Sequence, residues 1–230
     1  MYFLLHWSIY RIIYIFFKNR YQLKVGDHNL KKGPPAEKSE KTVTLKKVYV
    51  HQDFVHEKYV NDIALVKLEQ KVEFNRFVRT VCLPEKNEGD LVIPTKYGYV
   101  AGWGATKALK PGERAPDHRR YSNVLKHSAY EIQQNRSCGN RSALPFNSTV
   151  SFCAGDGKGG NDTCHGDSGG AFVREGKRGD KYRWIVTGLV SWGEGCAQEN
   201  QYGYYTRVYP FIDWIKEVVA KNTDSDEGEA

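Results

Sequence analysis

Long apolar runs are scarce in this 230-residue chain. The extended one, Met1–Phe17, is broken by His6 and Arg11, lacks a basic start and is followed by no small-residue cleavage site. It is too short for a comfortable membrane span, so the sequence offers no firm membrane evidence. No internal repeat is visible, which excludes a solenoid. Basic clusters with a nucleic-acid motif are also missing. The net charge of +7 is spread along the chain, and its densest stretches, Lys31–Lys41 and Lys107–Arg120, are rich in proline or glycine and read as surface loops. A nucleic-acid partner is therefore not expected. Gly155–Gly160 is glycine-rich but lacks the Lys-Ser/Thr of a phosphate loop.

What is present supports one sizeable core or two small fused ones, given 40% hydrophobic residues. Five cysteines and Asn-X-Ser/Thr sequons at Asn135, Asn140 and Asn147 point to an oxidising, secreted, extracellular setting, with one cysteine left unpaired within the chain. Thr42–Val50, Ile63–Leu68, Tyr97–Trp103 and Arg183–Trp192 read as strands. In the last, Trp184, Val186, Gly188 and Val190 alternate with Ile185, Thr187, Leu189 and Ser191. Pro210 opens an amphipathic helix with Phe211, Trp214, Ile215, Val218 and Val219 on one face.

The chain centres on Asp162–Gly170, Asp-Thr-Cys-His-Gly-Asp-Ser-Gly-Gly. A serine hydroxyl is a poor nucleophile unless a base takes its proton and donors await the developing oxyanion. Glycines around Ser168 let the backbone turn sharply, so the amides of Gly166 and Ser168 can point into one small hole. Gly-Asp-Ser-Gly-Gly arises by chance roughly once per million positions, which disfavours an ordinary glycine turn.

Four further blocks stand in order: Asn61-Asp62-Ile63-Ala64-Leu65, Val81-Cys82-Leu83-Pro84, Ala101-Gly102-Trp103-Gly104, and Val190-Ser191-Trp192-Gly193-Glu194-Gly195-Cys196. With them the chain resembles the chymotrypsin-like, trypsin-type serine peptidases from about Tyr21 to Lys221, and is most similar to the secreted coagulation and complement type. The resemblance implies an all-β, double six-stranded Greek-key barrel with a C-terminal α-helix. It implies Asp62 as the carboxylate that orients the catalytic imidazole, Ser168 as nucleophile, and Gly166 with Ser168 as oxyanion hole. Asp162 becomes the floor of a slot selecting Arg or Lys, with Gly193 and Gly203 as its walls and Ser191, Trp192 and Gly193 as the edge that pairs with substrate. Asp167 becomes the zymogen-switch carboxylate. It also implies bridges Cys138–Cys153 and Cys164–Cys196, a light chain tethered through Cys82, and protease inhibitors as further partners. Neither a metal nor a cofactor is implied. A third bridge found in trypsins is missing, with Gly98 and Arg174 in its place.

Two other parts of the pattern are missing. Gln22–Leu30 resembles the segment that follows the catalytic-histidine helix, yet no Ala-Ala-His-Cys motif and no Ile-Val-Gly-Gly-type activation terminus precede it. None of the seven histidines sits in the expected context. Three parts are thus expected: an atypical apolar segment, 1–20; a truncated peptidase domain, 21–221, with its first barrel incomplete; and a disordered acidic tail, 222–230. Met1–Phe17 can be a poor signal or anchor, a substitute for lost strands, or an aberrant start such as translated intron. The expected activity is acyl-enzyme proteolysis after Arg or Lys when complete, and close to none as written. The alternative is a secreted pseudoprotease that binds a protein through its cleft.

Overall fold

The structure, a computed structural model, describes residues 2–5, 22–31, 40–106 and 121–223. His6, His118, the bulk of both basic loops and the acidic tail from Asp224 lie outside the described residues. Two antiparallel sheets carry the fold. The first contains β1 (Tyr2–Leu5), β2 (Gln22–Val25), β3 (Lys41–Val50) and β4 (Ala64–Leu68) in the order β1-β4-β3-β2. The second contains β5 (Tyr97–Gly102), β6 (Lys126–Glu131), β7 (Ser151–Ala154), β8 (Ala171–Arg178), β9 (Lys181–Gly193) and β10 (Gly203–Arg207) in the order β6-β5-β8-β9-β10-β7.

The second sheet curls on itself, because Gly155 N donates to Glu131 O and Gln133 N to Cys153 O, joining its outer strands. Phe152, Phe172 and Tyr205 fill it with rings 4.9–5.2 Å apart, and all three are fully buried. Burial of each contributes about 1.5–3 kcal/mol. The first sheet stays open among the described residues, as its incomplete pattern implies. Beside it an apolar groove of about 580 Å³ runs between Val72 and Val78 on one side and Ala171 and Val186 on the other. Met1–Phe17 contributes β1, whose Leu5 pairs with Ala64 and whose Tyr2 pairs with Lys67, so part of it serves as a strand.

Among the described residues there are two short α-helices: α1 (Asn135–Arg141), which the sequence reading did not anticipate, and α2 (Ile212–Thr223). Pro210 lies in a 3-10 turn that feeds α2. Phe211, Ile212 and Ile215 pack on Ile63, just before β4, and Leu65 within it, and on Val186 and Leu189 of the other sheet. The helix therefore locks the sheets together.

The alternation read along Trp184–Ser191 does not appear as alternating burial. Ile185 to Ser191 are all buried, because both faces of β9 are covered. A bulge at Thr187, where the partners step from Gly188↔Phe172 to Val186↔Val173, brings Val186 and Leu189 into the same cluster against α2.

Candidate active site

β9 is the spine of the site. Facing β10, the register steps from Tyr204↔Trp192 to Tyr205↔Val190, which leaves Ser191 unmatched at a bulge. Such irregularities re-aim side chains. Ser191 Oγ donates to Asp62 Oδ2 at 2.7 Å. Asp62 has no exposed surface, and its carbonyl accepts from Thr206 Oγ1 at 3.0 Å. Asn61, with φ 54°, makes the turn that leads the chain through Asp62 into β4.

The Ser168 loop is tied to the same strand. Gly169 N donates to Val190 O and Val190 N to Gly170 O, both at 2.9 Å. One residue on each side of these bonds lie Ser168 and Ser191. Asp62 and Ser168, 106 positions apart in sequence, are thus connected through short hydrogen-bonded steps. Gly166 holds φ +93°, a region that strains residues with a Cβ, and a Cβ there would meet the Tyr121 ring at 2.6 Å. Within Gly166–Gly170 the amides of Asp167, Gly169 and Gly170 are hydrogen-bonded, whereas those of Gly166 and Ser168 have no bond among the described residues. Among the described residues, two amides without a hydrogen-bond acceptor thus flank Asp167.

The Asp167 carboxylate is held by two backbone amides. Gly104 N donates to Oδ1 at 2.9 Å and Cys164 N to Oδ2 at 3.1 Å. No cation pairs with it among the described residues, and burial raises its pKa. Both Asp167 and Asp162 border a cavity of about 260 Å³ that also touches Gly104, Lys126 and His127.

Asp162 is held by the Cys164–Cys196 bridge, which brings the next strand's connection alongside so that Ala197 N donates to Asp162 Oδ2 at 3.1 Å. Burial pushes its pKa up to about 6, against the lowering effect of the Ala197 and Thr163 amides. Gly203 pairs with Gly193 across β9 and β10. A Cβ at Gly203 would meet Tyr205 Oη at 3.0 Å and Asp162 Oδ1 and Thr163 Oγ1 at 3.1 Å, so a side chain there would press on all three oxygens.

Trp192 lies flat on Tyr204, with ring centroids 3.9 Å apart and planes 3° apart, and Tyr59 stacks near it at 6.1 Å. Sequence reasoning missed Tyr59. Its left-handed backbone, φ 49°, is a feature of a turn that no short motif announces.

Cys138–Cys153 fixes α1 to β7 with Cα atoms 5.6 Å apart. Cys82 forms no disulfide and lies half-buried beside β9, where Cys82 N donates to Trp184 O and Val186 N to Cys82 O. A groove of about 540 Å³ lined by Arg76, Arg79 and Arg183 reaches it. Where the third bridge is missing, the Arg174 guanidinium donates to the carbonyls of Tyr97 and Leu91.

Of the five described histidines, none hydrogen-bonds Ser168 or Asp62. His51 Nδ1 accepts from Asp53 N, and its ring packs against Phe211 and Trp214. Among the described residues no helix is long and apolar enough to cross a membrane, and no group of His, Cys, Asp and Glu has the geometry to hold a metal. Compared with known families, residues 15–215 match the family model described as Trypsin.

Proposed function

The chain belongs to the trypsin family of serine peptidases, and from that premise we propose that its cleft is built to recognise an Arg or Lys side chain of a protein substrate through Asp162. The observation that supports this reading is a largely buried carboxylate beside Gly203, fixed by the Ala197 amide and the Cys164–Cys196 bridge. A buried carboxylate is costly unless a cation enters, so the slot favours long basic groups over neutral ones. Ser191–Gly193 is the strand edge that would take the substrate backbone.

In a complete site the Ser168 hydroxyl adds to the scissile carbonyl, and its proton passes to an imidazole oriented by Asp62. The unbonded amides of Gly166 and Ser168 receive the oxyanion. This chain supplies the nucleophile, the orienting carboxylate and the donors. The imidazole is the part that no described histidine provides, and among the described residues no ammonium holds Asp167. In the subtilisin series, loss of the triad histidine alone costs on the order of a million-fold in turnover. On this reading the described part of the site is catalytically silent, in a secreted member of the family.

The missing imidazole favours a second reading, in which the cleft binds a protein or inhibitor with an Arg or Lys anchor and releases it uncut. Titration with a small aryl amidinium, together with fluorophosphonate labelling of Ser168, tests both readings. Binding without labelling supports the silent, Arg/Lys-reading site. Labelling overturns silence, and failure to bind the amidinium overturns the assignment of Asp162.

A further inference from the structure

We infer that Asn147 is an N-glycosylated residue of this chain and that the other sequons stay bare. The inference rests on the reading of a secreted protein. A sequon is modified when its Ser/Thr hydroxyl can meet the asparagine amide two residues back. That contact is assembled at one sequon. Thr149 Oγ1 donates to Asn147 Oδ1 at 2.7 Å and Thr149 N donates to the same oxygen at 3.0 Å. The Asn147 carbonyl is fixed by Ser151, whose N and Oγ donate to it at 3.0 and 2.7 Å. Asn147 and Thr149 are both exposed, and Asn147 Nδ2 makes no bond among the described residues.

The alternatives are each spoiled by a different contact. Asn135 and Ser137 lie within α1, where residues two apart face different sides, and Asn135 Oδ1 accepts from Arg207. Asn140 is also on α1, and Ser142 Oγ donates to Leu144 O at 2.5 Å. Asn161 donates from Nδ2 to Ser128 Oγ at 2.5 Å, while Thr163 Oγ1 meets Tyr205 Oη at 3.2 Å. The Asn147–Thr149 contact is local and is kept in the folded chain, the state in which the contacts of the other sequons also hold.

The group transferred is an oligosaccharide from a lipid diphosphate donor. A bond forms from Asn147 Nδ2 to the sugar C1, and the C1–O bond to the diphosphate breaks with its electron pair. One amide proton goes to solvent.

The test translates the full chain, behind a cleavable secretion leader, in the presence of microsomes, with protease protection reporting translocation independently of any glycan. Amidase treatment in heavy-oxygen water then marks each residue that carried a glycan. The mark is expected at residue 147. Asn147→Gln and Thr149→Ala should each remove one glycan, whereas Thr149→Ser should retain it and Asn140→Gln should leave the count unchanged. A protected chain unmarked at residue 147, or marked at residue 135, 140 or 161, overturns the inference. A chain left unprotected despite the leader refutes the secreted reading beneath it.

Discussion

Ser191 Oγ reaches Asp62 Oδ2 at 2.7 Å across 129 residues of sequence, and this bond connects β9 of the second sheet to the segment that enters β4 of the first. Ser191→Ala should cost about 1–3 kcal/mol, because a buried carboxylate oxygen loses a donor. Urea unfolding of both forms measures it. A change below about 0.5 kcal/mol would mean that solvent or another group replaces the hydroxyl.

Cation binding at Asp162 should depend on pH through the carboxylate whose pKa burial raises to about 6. Below that pH the group is neutral, so affinity for an aryl amidinium should fall about tenfold per pH unit. The stability effect has the opposite sense. Since the folded state holds this proton more tightly than the unfolded state, stability without ligand should decline as pH rises from about 4 to 6 and then level off. Asp162→Asn should flatten both curves. A wild-type binding curve with no inflection near pH 6 would contradict the assignment.

Gly203→Ala should remove amidinium binding with little effect on Ser168, since the added methyl meets the Asp162 carboxylate at 3.1 Å. Calorimetric titration reads the loss. Retained affinity would show that the ligand approaches Asp162 from the 260 Å³ cavity and not past Gly203.

Arg174→Met should lower stability by about 1–3 kcal/mol, because the Leu91 and Tyr97 carbonyls lose charge-assisted donors. Arg174→Lys should recover part of it, since one ammonium cannot span both acceptors as a planar fork does. Equal stability of the Met variant and the parent would assign the seam to packing alone.

Ser168 in the full chain should stay unlabelled by a fluorophosphonate over hours at neutral pH. Intact-mass spectrometry after incubation reads this directly. Labelling would require a base, and His6→Ala is then the informative variant, because the chain leaves β1 at Leu5, paired with Ala64 two residues beyond Asp62.

Much of this architecture was legible because its signals are local. The turn around Ser168, the Pro210 helix start and the β-branched run ending at Val50 each carry their cause within a few residues. The two bulges in β9 were not legible, since they arise from pairing with β8 and β10 and from the two packed faces they serve. Tyr59 escaped for the same reason: its partner Trp192 is brought to it only by the meeting of the two sheets. α1 escaped because Asn135–Arg141 is short and polar with one buried residue, Cys138, so its helix depends on the bridge to Cys153. The role of Tyr2–Leu5 was open in sequence because a strand that completes an edge is recognised by its neighbour, here β4.

Trp192 lies between Tyr204, nearly parallel at 3.9 Å, and Tyr59 at 6.1 Å, on the strand edge where a bound chain would run. Rings this close couple their electronic transitions, so the cleft carries its own chromophore. A guest that displaces Tyr59 or tilts the indole should alter the near-ultraviolet circular dichroism and the emission of Trp192. Occupancy of this site can therefore be followed by light alone, without any turnover to count.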